Sequence, residues 1–450
     1  MKISANFNKA IGKIKPMHAV GQPPIYGDSD QFFHYLTEAG IPQSRLHDAG
    51  GAYARTHYVD IPNIFRDFSA DENDPASYSF TFTDALIKSL LDAKVEPYYR
   101  LGVTIENHCK VERFTTYPPE DFEKWARICE HIIRHYNEGW ANGFHYGIRY
   151  WEIWNEADDF LDPNESQMWC GTKEQYFELY DITAKHLKAC FGDTIKVGGY
   201  ACTGVHKVEL DPELEGLGRP PQDNKEYRIE FIHAFFKFIK ENNSPIDFFS
   251  YHSYSSVAGA VNEVRYYDAI LERYGYSHLE RHLNEWNTCC DSSFGVNWRE
   301  KDHIAFAASN LTMMLKMQHE KVDALYYYDA RMTPTPFGGF FNSETTLPTN
   351  TYFAFHMFNS LYKLGTEVEC ACDVPGVAAL AATNGKRSVL VMANTNNKTV
   401  EFDLECLGVD FTDADVLRIS KAYRYTLTGE TVQNGKFKLP PYGCTELKFY

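Results

Sequence analysis

Short apolar runs of strand length alternate with longer segments whose apolar positions recur every three or four residues, and the alternation persists over the first ~365 residues. Eight runs read as strands: residues 17–20, 44–48, 95–100, 149–154, 195–199, 248–252, 282–285 and 324–328. Between them lie helical stripes. The clearest places Phe122, Trp125, Cys129, Ile132, Ile133 and Tyr136 on one face after Pro118-Pro119, and another aligns Ile304, Ala308, Leu311 and Leu315. Further helices are expected near 29–40, 81–93, 174–190, 225–242, 259–274 and 350–362. Eight strands each followed by a helix close most economically as a (β/α)₈ TIM barrel of class α/β. A doubly wound sheet is the rival, but neither glycine-rich phosphate-loop motif that usually accompanies it is present.

After residue 365 the texture changes. Residues 377–383, 387–394, 398–404, 416–427, 436–439 and 444–449 read as strands, separated by turn pairs such as Asn384-Gly385 and Asn434-Gly435. The expected organisation is therefore a barrel over 1–365 and a small antiparallel β-sandwich-type accessory domain over 366–450.

Composition narrows the partners. Of 450 residues, 61 are acidic and 44 basic, a net charge of −17, which disfavours a phosphate backbone as ligand. No apolar run approaches the ~20 residues of a membrane span. The segment Met1-Lys2-Ile3-Ser4-Ala5-Asn6 lacks a basic stretch followed by an apolar one, so no secretory leader is expected, and eleven cysteines without a regular framework favour reduced thiols. A cytoplasmic protein is expected, with neither nucleic acid nor membrane as partner. No His-Glu-x-x-His or Cys-x-x-Cys motif calls for a metal, and no cofactor is expected. Aromatic residues make up 15% of the chain. Most belong in a core, although sugar-binding clefts also use aromatic faces against the C–H surfaces of pyranose rings.

Two strands end on glutamates. The fourth reads Arg149-Tyr150-Trp151-Glu152-Ile153-Trp154-Asn155-Glu156, and the seventh Arg281-His282-Leu283-Asn284-Glu285-Trp286-Asn287. On a barrel, the C-terminal ends of the strands border the cleft, so Glu156 and Glu285 would face one another there. Two carboxyl groups flanking one bond are what glycoside hydrolysis requires. Glu152 falls inside its strand, pointing either into the barrel or toward the helix layer, and is the weaker catalyst, although a polar barrel interior could use it in support.

The joint pattern W-x-x-W-N-E and N-E-W resembles the retaining barrel glycosidases of clan A, and most closely glycoside hydrolase family 39, the β-xylosidase and α-L-iduronidase family. Supporting pieces are Arg45 and His47 on strand two and Tyr251-His252-Ser253-Tyr254 at strand six. Phe337-Gly338-Gly339-Phe340 after strand eight also fits, as does the segment from Pro348 to Phe355. The resemblance implies Glu156 as acid/base and Glu285 as nucleophile. Asn155 would donate to the sugar 2-hydroxyl, and Arg45 with Tyr254 or His252 would hold Glu285. By position alone, His47, Asp48, Tyr328, Asp329 and Phe337 are further candidates for the sugar subsite, and Trp286 would either stack on a sugar or anchor the seventh loop. Glu156 would need a pKa lifted toward 6 or 7 by an apolar wall, for which Trp151 and Trp154 are candidates, and by the charge of Glu285.

Two departures bear on substrate: Ala157-Asp158 stands where the family has Pro after the acid/base, and Arg100 where strand three commonly carries a carboxylate. The expected activity is an exo-acting, β-xylosidase-like, retaining hydrolase acting on an oligosaccharide or glycoside, and the resemblance also allows a homo-oligomer. An α-L-arabinofuranosidase, a uronidase or iduronidase type, an endo-glycanase and a non-catalytic sugar-binding barrel stay open as alternatives. Loops 103–118 and 332–347 would close a pocket in an exo-acting enzyme.

Overall fold

The computed structural model describes residues 1–25, 29–50, 57–105, 116–205, 220–288, 302–332, 337 and 339–450. The first strand, β1 (Lys2–Lys13), precedes the barrel. Eight parallel strands then close on themselves in chain order: β2 (Ala19–Gly21), β3 (Gln43–Leu46), β4 (Glu96–Leu101), β5 (Tyr150–Ile153), β6 (Lys196–Cys202), β7 (Phe248–Ser253), β8 (Glu280–Trp286) and β9 (Ala324–Tyr327), which pairs back to β2. Each overlaps one of the eight strands expected from the sequence. The helices are α1 (Phe33–Glu38), the short α2 (Ile61–Ile64), α3 (Thr81–Asp92), α4 (Phe122–Asn137), α5 (Lys173–Phe191), α6 (Asn224–Asn242), α7 (Val257–Tyr274), α8 (Ile304–Met317) and α9 (Asn350–Leu364).

The helix faces follow the periodicity. In α4, Trp125, Cys129, Ile132, Ile133 and Tyr136 are buried, and the Asp121 side chain caps its start by accepting from the Lys124 N–H. The start of α5 is fixed by a reciprocal cap between Thr172 and Gln175. Helix α8 differs: nearly every residue is buried, not just one stripe. The reason is a second layer outside it.

That layer comprises β10 (Thr366–Cys372), β11 (Val377–Thr383), β12 (Ser388–Asn394), β13 (Val400–Leu407), β14 (Asp415–Ile419), β15 (Arg424–Leu427), β16 (Gly435–Leu439) and β17 (Cys444–Phe449). With β1 they form one nine-stranded sheet in the order β15-β14-β17-β12-β11-β10-β1-β13-β16. One face gathers Phe7, Leu390, Phe402, Phe437, Leu447 and Phe449 into its own core, so the sheet curls over on itself in sandwich fashion. The alternate residues of β11 and β12, including Leu380, Val389 and Val391, belong to the barrel core and pack on α8 and α9. Burying one such side chain contributes about 1.5–3 kcal/mol.

Two details differ from the expected organisation. The stretch 416–427, read as one strand, is divided into β14 and β15 by a turn in which the Ser420 N–H donates to the Tyr423 carbonyl. Residues 2–13, counted with the barrel, instead pair antiparallel with β10 and parallel with β13. Ile3, Ala5 and Phe7 bury their side chains there, and the remainder of β1 is mostly exposed. No helix among the described residues is long and apolar enough to cross a membrane.

Candidate active site

The barrel interior is layered. At its N-terminal end Tyr98, Tyr150, Phe248, His282 and Tyr326 pack ring against ring and close the bore. Side chains of a strand alternate, so the next inward positions are Arg100, Glu152, Ser250 and Asn284. This second layer is polar and fully buried. Glu152 accepts from Ser250 Oγ and Asn284 Nδ2, each at 2.6 Å, through one oxygen. Through the other it accepts from Arg45 Nε at 2.7 Å.

Glu285 should face away from the bore if Asn284 faces into it. The pairing of β8 shifts register here against both neighbours, between Leu283 and Trp286 on one side and beside His252 on the other. Such an irregularity re-aims side chains, and it brings Glu285 inward after Asn284. On β5 the equivalent turn uses left-handed backbone at Trp154 (φ 71°) and Glu156 (φ 48°), uncommon for residues with a side chain and costing about 1–3 kcal/mol each. The Glu156 N–H is held by the Ala201 carbonyl at 3.0 Å.

The carboxyl groups of Glu156 and Glu285 come together above the polar layer, with an oxygen of each within 4.8 Å of the other. Arg45 Nη1 donates to Glu285 Oε1 at 2.7 Å, and Arg45 Nη2 to Asn155 Oδ1 at 2.6 Å. Tyr254 donates its hydroxyl to Glu285 Oε2 at 2.6 Å. His252 Nδ1 lies 2.6 Å from Glu156 Oε1 and 3.6 Å from Glu285 Oε2, so it serves mainly the former. Glu156, His252 and Glu285 present three ligand-type atoms, but Arg45, Tyr254 and the His252 hydrogen bond already engage them.

The two carboxyls sit in different fields. Burial pushes Glu156 up to about 7, helped by the negative charge of Asp158 and opposed by Arg228 and Arg45. Asp158, not Glu285, is the leading carboxylate contributor to that shift. Burial also raises Glu285, but His252, Arg45 and the Tyr254 hydrogen bond pull it back. Asp159 is pushed up to about 8 by burial and by Glu156, with Arg228 opposing. The Tyr254 hydroxyl is driven far above its ordinary range by burial and Glu285, which keeps it a donor. His47 is held well below its usual value by burial, Arg100 and Arg45, so its ring is neutral.

The structure thus brings together Glu156, Glu285, Asn155, Arg45, His252 and Tyr254. Phe337 and Tyr328 flank Tyr254, with ring centroids 5.1 and 6.3 Å from it. Tyr328 donates to Asp48 Oδ2 at 2.5 Å and accepts from Arg331 Nη2 at 3.2 Å. His47 Nε2 is 3.2 Å from Asp48 Oδ1. Trp286 is not in this group: being the next residue after the irregularity, it points outward and packs between Tyr327 and Phe355. Trp151 and Trp154 likewise do not form a wall for Glu156. Trp151 stacks on Tyr99, and Trp154 packs against Trp125 and Trp169.

Gln22, at the end of the first barrel strand, lies outside every sequence motif named above. It is fully buried, and neither side-chain amide atom has a protein partner. His47 Nδ1, Arg100 Nη1, Asn155 Nδ2 and Asn284 Oδ1 share that condition. All five residues lie on or just beyond the barrel strands, toward the end that carries the two glutamates.

Comparison with known proteins gives the family and the fold. The profile of glycosyl hydrolases family 39 matches residues 1–286. The chain belongs to that family. It is 25% identical over 369 residues to a β-xylosidase of Geobacillus stearothermophilus, a match covering 73% of this chain and 65% of that protein. The chain therefore spans slightly under two thirds of that relative's length. Among solved structures, a glucosidase from Croceicoccus marinus superposes with a TM-score of 0.76 at 18% identity, covering 100% of this chain and 98% of the other. A monomeric β-xylosidase from Caulobacter crescentus CB15 gives 0.70 at 18% identity, covering 100% and 99%. At such identities these structures speak for the barrel and its accessory sheet as a shared fold.

Proposed function

We propose that this family 39 member is a retaining glycoside hydrolase, β-xylosidase-like and exo-acting, with Glu285 as nucleophile and Glu156 as acid/base. The observation that carries the reading is the separation of the two carboxyls. Oxygens within 4.8 Å fit the ~5–5.5 Å spacing of a double displacement better than the ~6.5–9.5 Å that leaves room for an inverting water.

In the first step a Glu285 oxygen attacks the anomeric carbon while Glu156 gives its proton to the departing glycosidic oxygen. A bond from carbon to Glu285 forms, and the bond to the leaving oxygen breaks. Glu156, now a carboxylate, takes a proton from water in the second step. That water attacks the anomeric carbon, releasing Glu285 and restoring the Glu156 proton. Arg45 and Tyr254 keep Glu285 placed and favour its charged form. Asn155, with Oδ1 fixed by Arg45, has Nδ2 available for a sugar hydroxyl. The unpartnered buried atoms of Gln22, His47 and Arg100 are costly without partners, and a polyhydroxylated ring supplies donors and acceptors for such groups.

Exo action and xylose are the finer parts of the proposal, drawing on the named β-xylosidases, while a glucosidase shares the fold. Of the loops expected to close the pocket, 106–115 of the first and 333–336 and 338 of the second lie outside the described residues. A cytoplasmic site belongs to the same proposal, since eleven cysteines suit a reducing compartment. The test is a panel of nitrophenyl glycosides, followed by azide rescue of Glu285→Ala. A β-xyloside turned over fastest and an azide product of inverted configuration are expected. A retained azide product would remove Glu285 as nucleophile.

A further inference from the structure

Helices α4 and α5 pack side by side outside strands β4 and β5, away from the catalytic mouth. On their shared surface three ligand-type side chains converge: Glu130 from α4, and His186 and Cys190 from α5. His186 and Cys190 are four residues apart, hence on one helix face. His186 Nε2 is 2.6 Å from Glu130 Oε2 and 3.8 Å from Cys190 Sγ, and one donor atom of each residue lies within 4.8 Å of the others. We propose that this trio is a binding site for a borderline-soft divalent cation of the zinc class, pinning α4 to α5.

The distances suit such an ion. Zinc held by nitrogen at ~2.0–2.1 Å and sulfur at ~2.3 Å in a tetrahedron separates those two atoms by about 3.5 Å, near the 3.8 Å present. The Glu130–His186 contact opens by less than an ångström as the ion takes the place of their shared hydrogen bond. The second oxygen of Glu130 is held by Arg134 Nε at 2.7 Å. Arg134 is itself paired with Glu138 and stacked over Phe191 at 5.1 Å. A carboxylate fixed in this way presents its free oxygen in one direction, the support that metal ligands commonly receive. Thiolate and imidazole select against magnesium and calcium, which take oxygen sets. Glu130 and His186 are only partly buried, 15% and 30% exposed, so a solvent molecule can complete the tetrahedron. The Cys190 proton leaves to solvent as the thiolate binds.

The full chain, freed of metal with a chelator and kept reduced, is titrated with Co²⁺. One equivalent is expected to give the strong visible absorption of a four-coordinate ion together with a sulfur-to-cobalt charge-transfer band, both removed by one equivalent of Zn²⁺. Cys190→Ser is expected to lose the charge-transfer band, and His186→Gln to need at least tenfold more metal, with circular dichroism unchanged in both. Zn²⁺ is expected to raise the melting temperature of the parent chain and not of Cys190→Ser. Absence of the band at one equivalent, its persistence in Cys190→Ser, or equal thermal shifts in both proteins would each overturn the proposal. Cation binding at Glu156, His252 and Glu285 is distinguishable, since that set has no sulfur and would appear as inhibition.

Discussion

Arg45 Nε and Glu152 Oε2 are joined at 2.7 Å inside the barrel, and this pair, rather than either glutamate of the mouth, is the anchor of the site. Glu152 is fixed by Ser250 and Asn284, and Arg45, whose Nη2 also lies 2.7 Å from Glu152 Oε2, donates from Nη1 to Glu285 and from Nη2 to Asn155. The geometry at the mouth is thus set from one layer below. Glu152→Gln keeps the shape and removes the charge. Removing one partner of a buried ion pair costs about 3–5 kcal/mol, and a small misplacement of a nucleophile costs about 10²-fold in rate. The expected result is a lower urea midpoint together with kcat/KM reduced by about that factor, chiefly through kcat. Unchanged kcat in a destabilised Glu152→Gln protein would separate the anchor from catalysis.

In the proposed mechanism Glu156 carries a proton when the leaving group departs, and its carboxyl is raised to about 7. Activity is then expected below that pH and lost as pH rises through it. The mechanism also needs Glu285 charged, so an acid limb is expected to close the profile at low pH and make kcat/KM bell-shaped. Because the Asp158 charge helps to raise Glu156, Asp158→Asn is expected to move the alkaline limb to lower pH while leaving the acid limb in place. A pH–rate profile of the two proteins on one substrate checks this.

Tyr254 acts on the other limb. Its hydroxyl donates to Glu285 at 2.6 Å and favours the charged carboxylate. Tyr254→Phe withdraws that bond and should shift the acid limb upward, with kcat lowered by about 10²-fold, the scale of one lost charge-stabilising donor. The readout is again the pH profile, now at its acid side.

The strand-end glutamates were legible because the residues around them form local motifs, Trp-Asn-Glu and Asn-Glu-Trp. The β8 irregularity was not. Nothing in His282-Leu283-Asn284-Glu285 announces that two consecutive side chains turn inward, so the sequence leaves open whether Trp286 faces a sugar or anchors its loop. The accessory layer had a readable trace in α8, whose Ala-, Met- and Leu-rich surface is apolar beyond one stripe. The partner of β1 had none, since Ile3 pairs with Cys372 across most of the chain.

Trp286 offers a direct contrast with Phe337. Its indole is fully buried against Tyr327 and Phe355. Trp286→Ala is expected to cost about 3–5 kcal/mol of stability, read as a lowered denaturant midpoint. Phe337→Ala, which removes a ring from beside Tyr254, is expected to raise KM with a smaller loss of stability. The opposite pattern would return Trp286 to the sugar face.

The position of β1 makes the two layers interdependent. It lies between β10 and β13, so the accessory sheet is continuous only with residues 2–13 in place. A fragment of residues 366–450 begins after that strand has been removed, leaving two unpaired inner edges and an open core at Ile3, Ala5 and Phe7. Such a fragment is expected to be unfolded or aggregated, without a cooperative urea transition. Residues 1–13 joined to its C-terminus through a flexible linker should restore the transition, because a strand needs its register and not its original connection. The face of β11 and β12 that normally covers α8 and α9 would then be exposed and would need polar substitutions at Leu380, Val389 and Val391 for solubility. Circular dichroism during urea unfolding of the three fragments, bare, strand-joined and strand-joined with a polar face, distinguishes these outcomes. Cooperative folding of the bare fragment would show that β1 covers the sheet without being needed to form it.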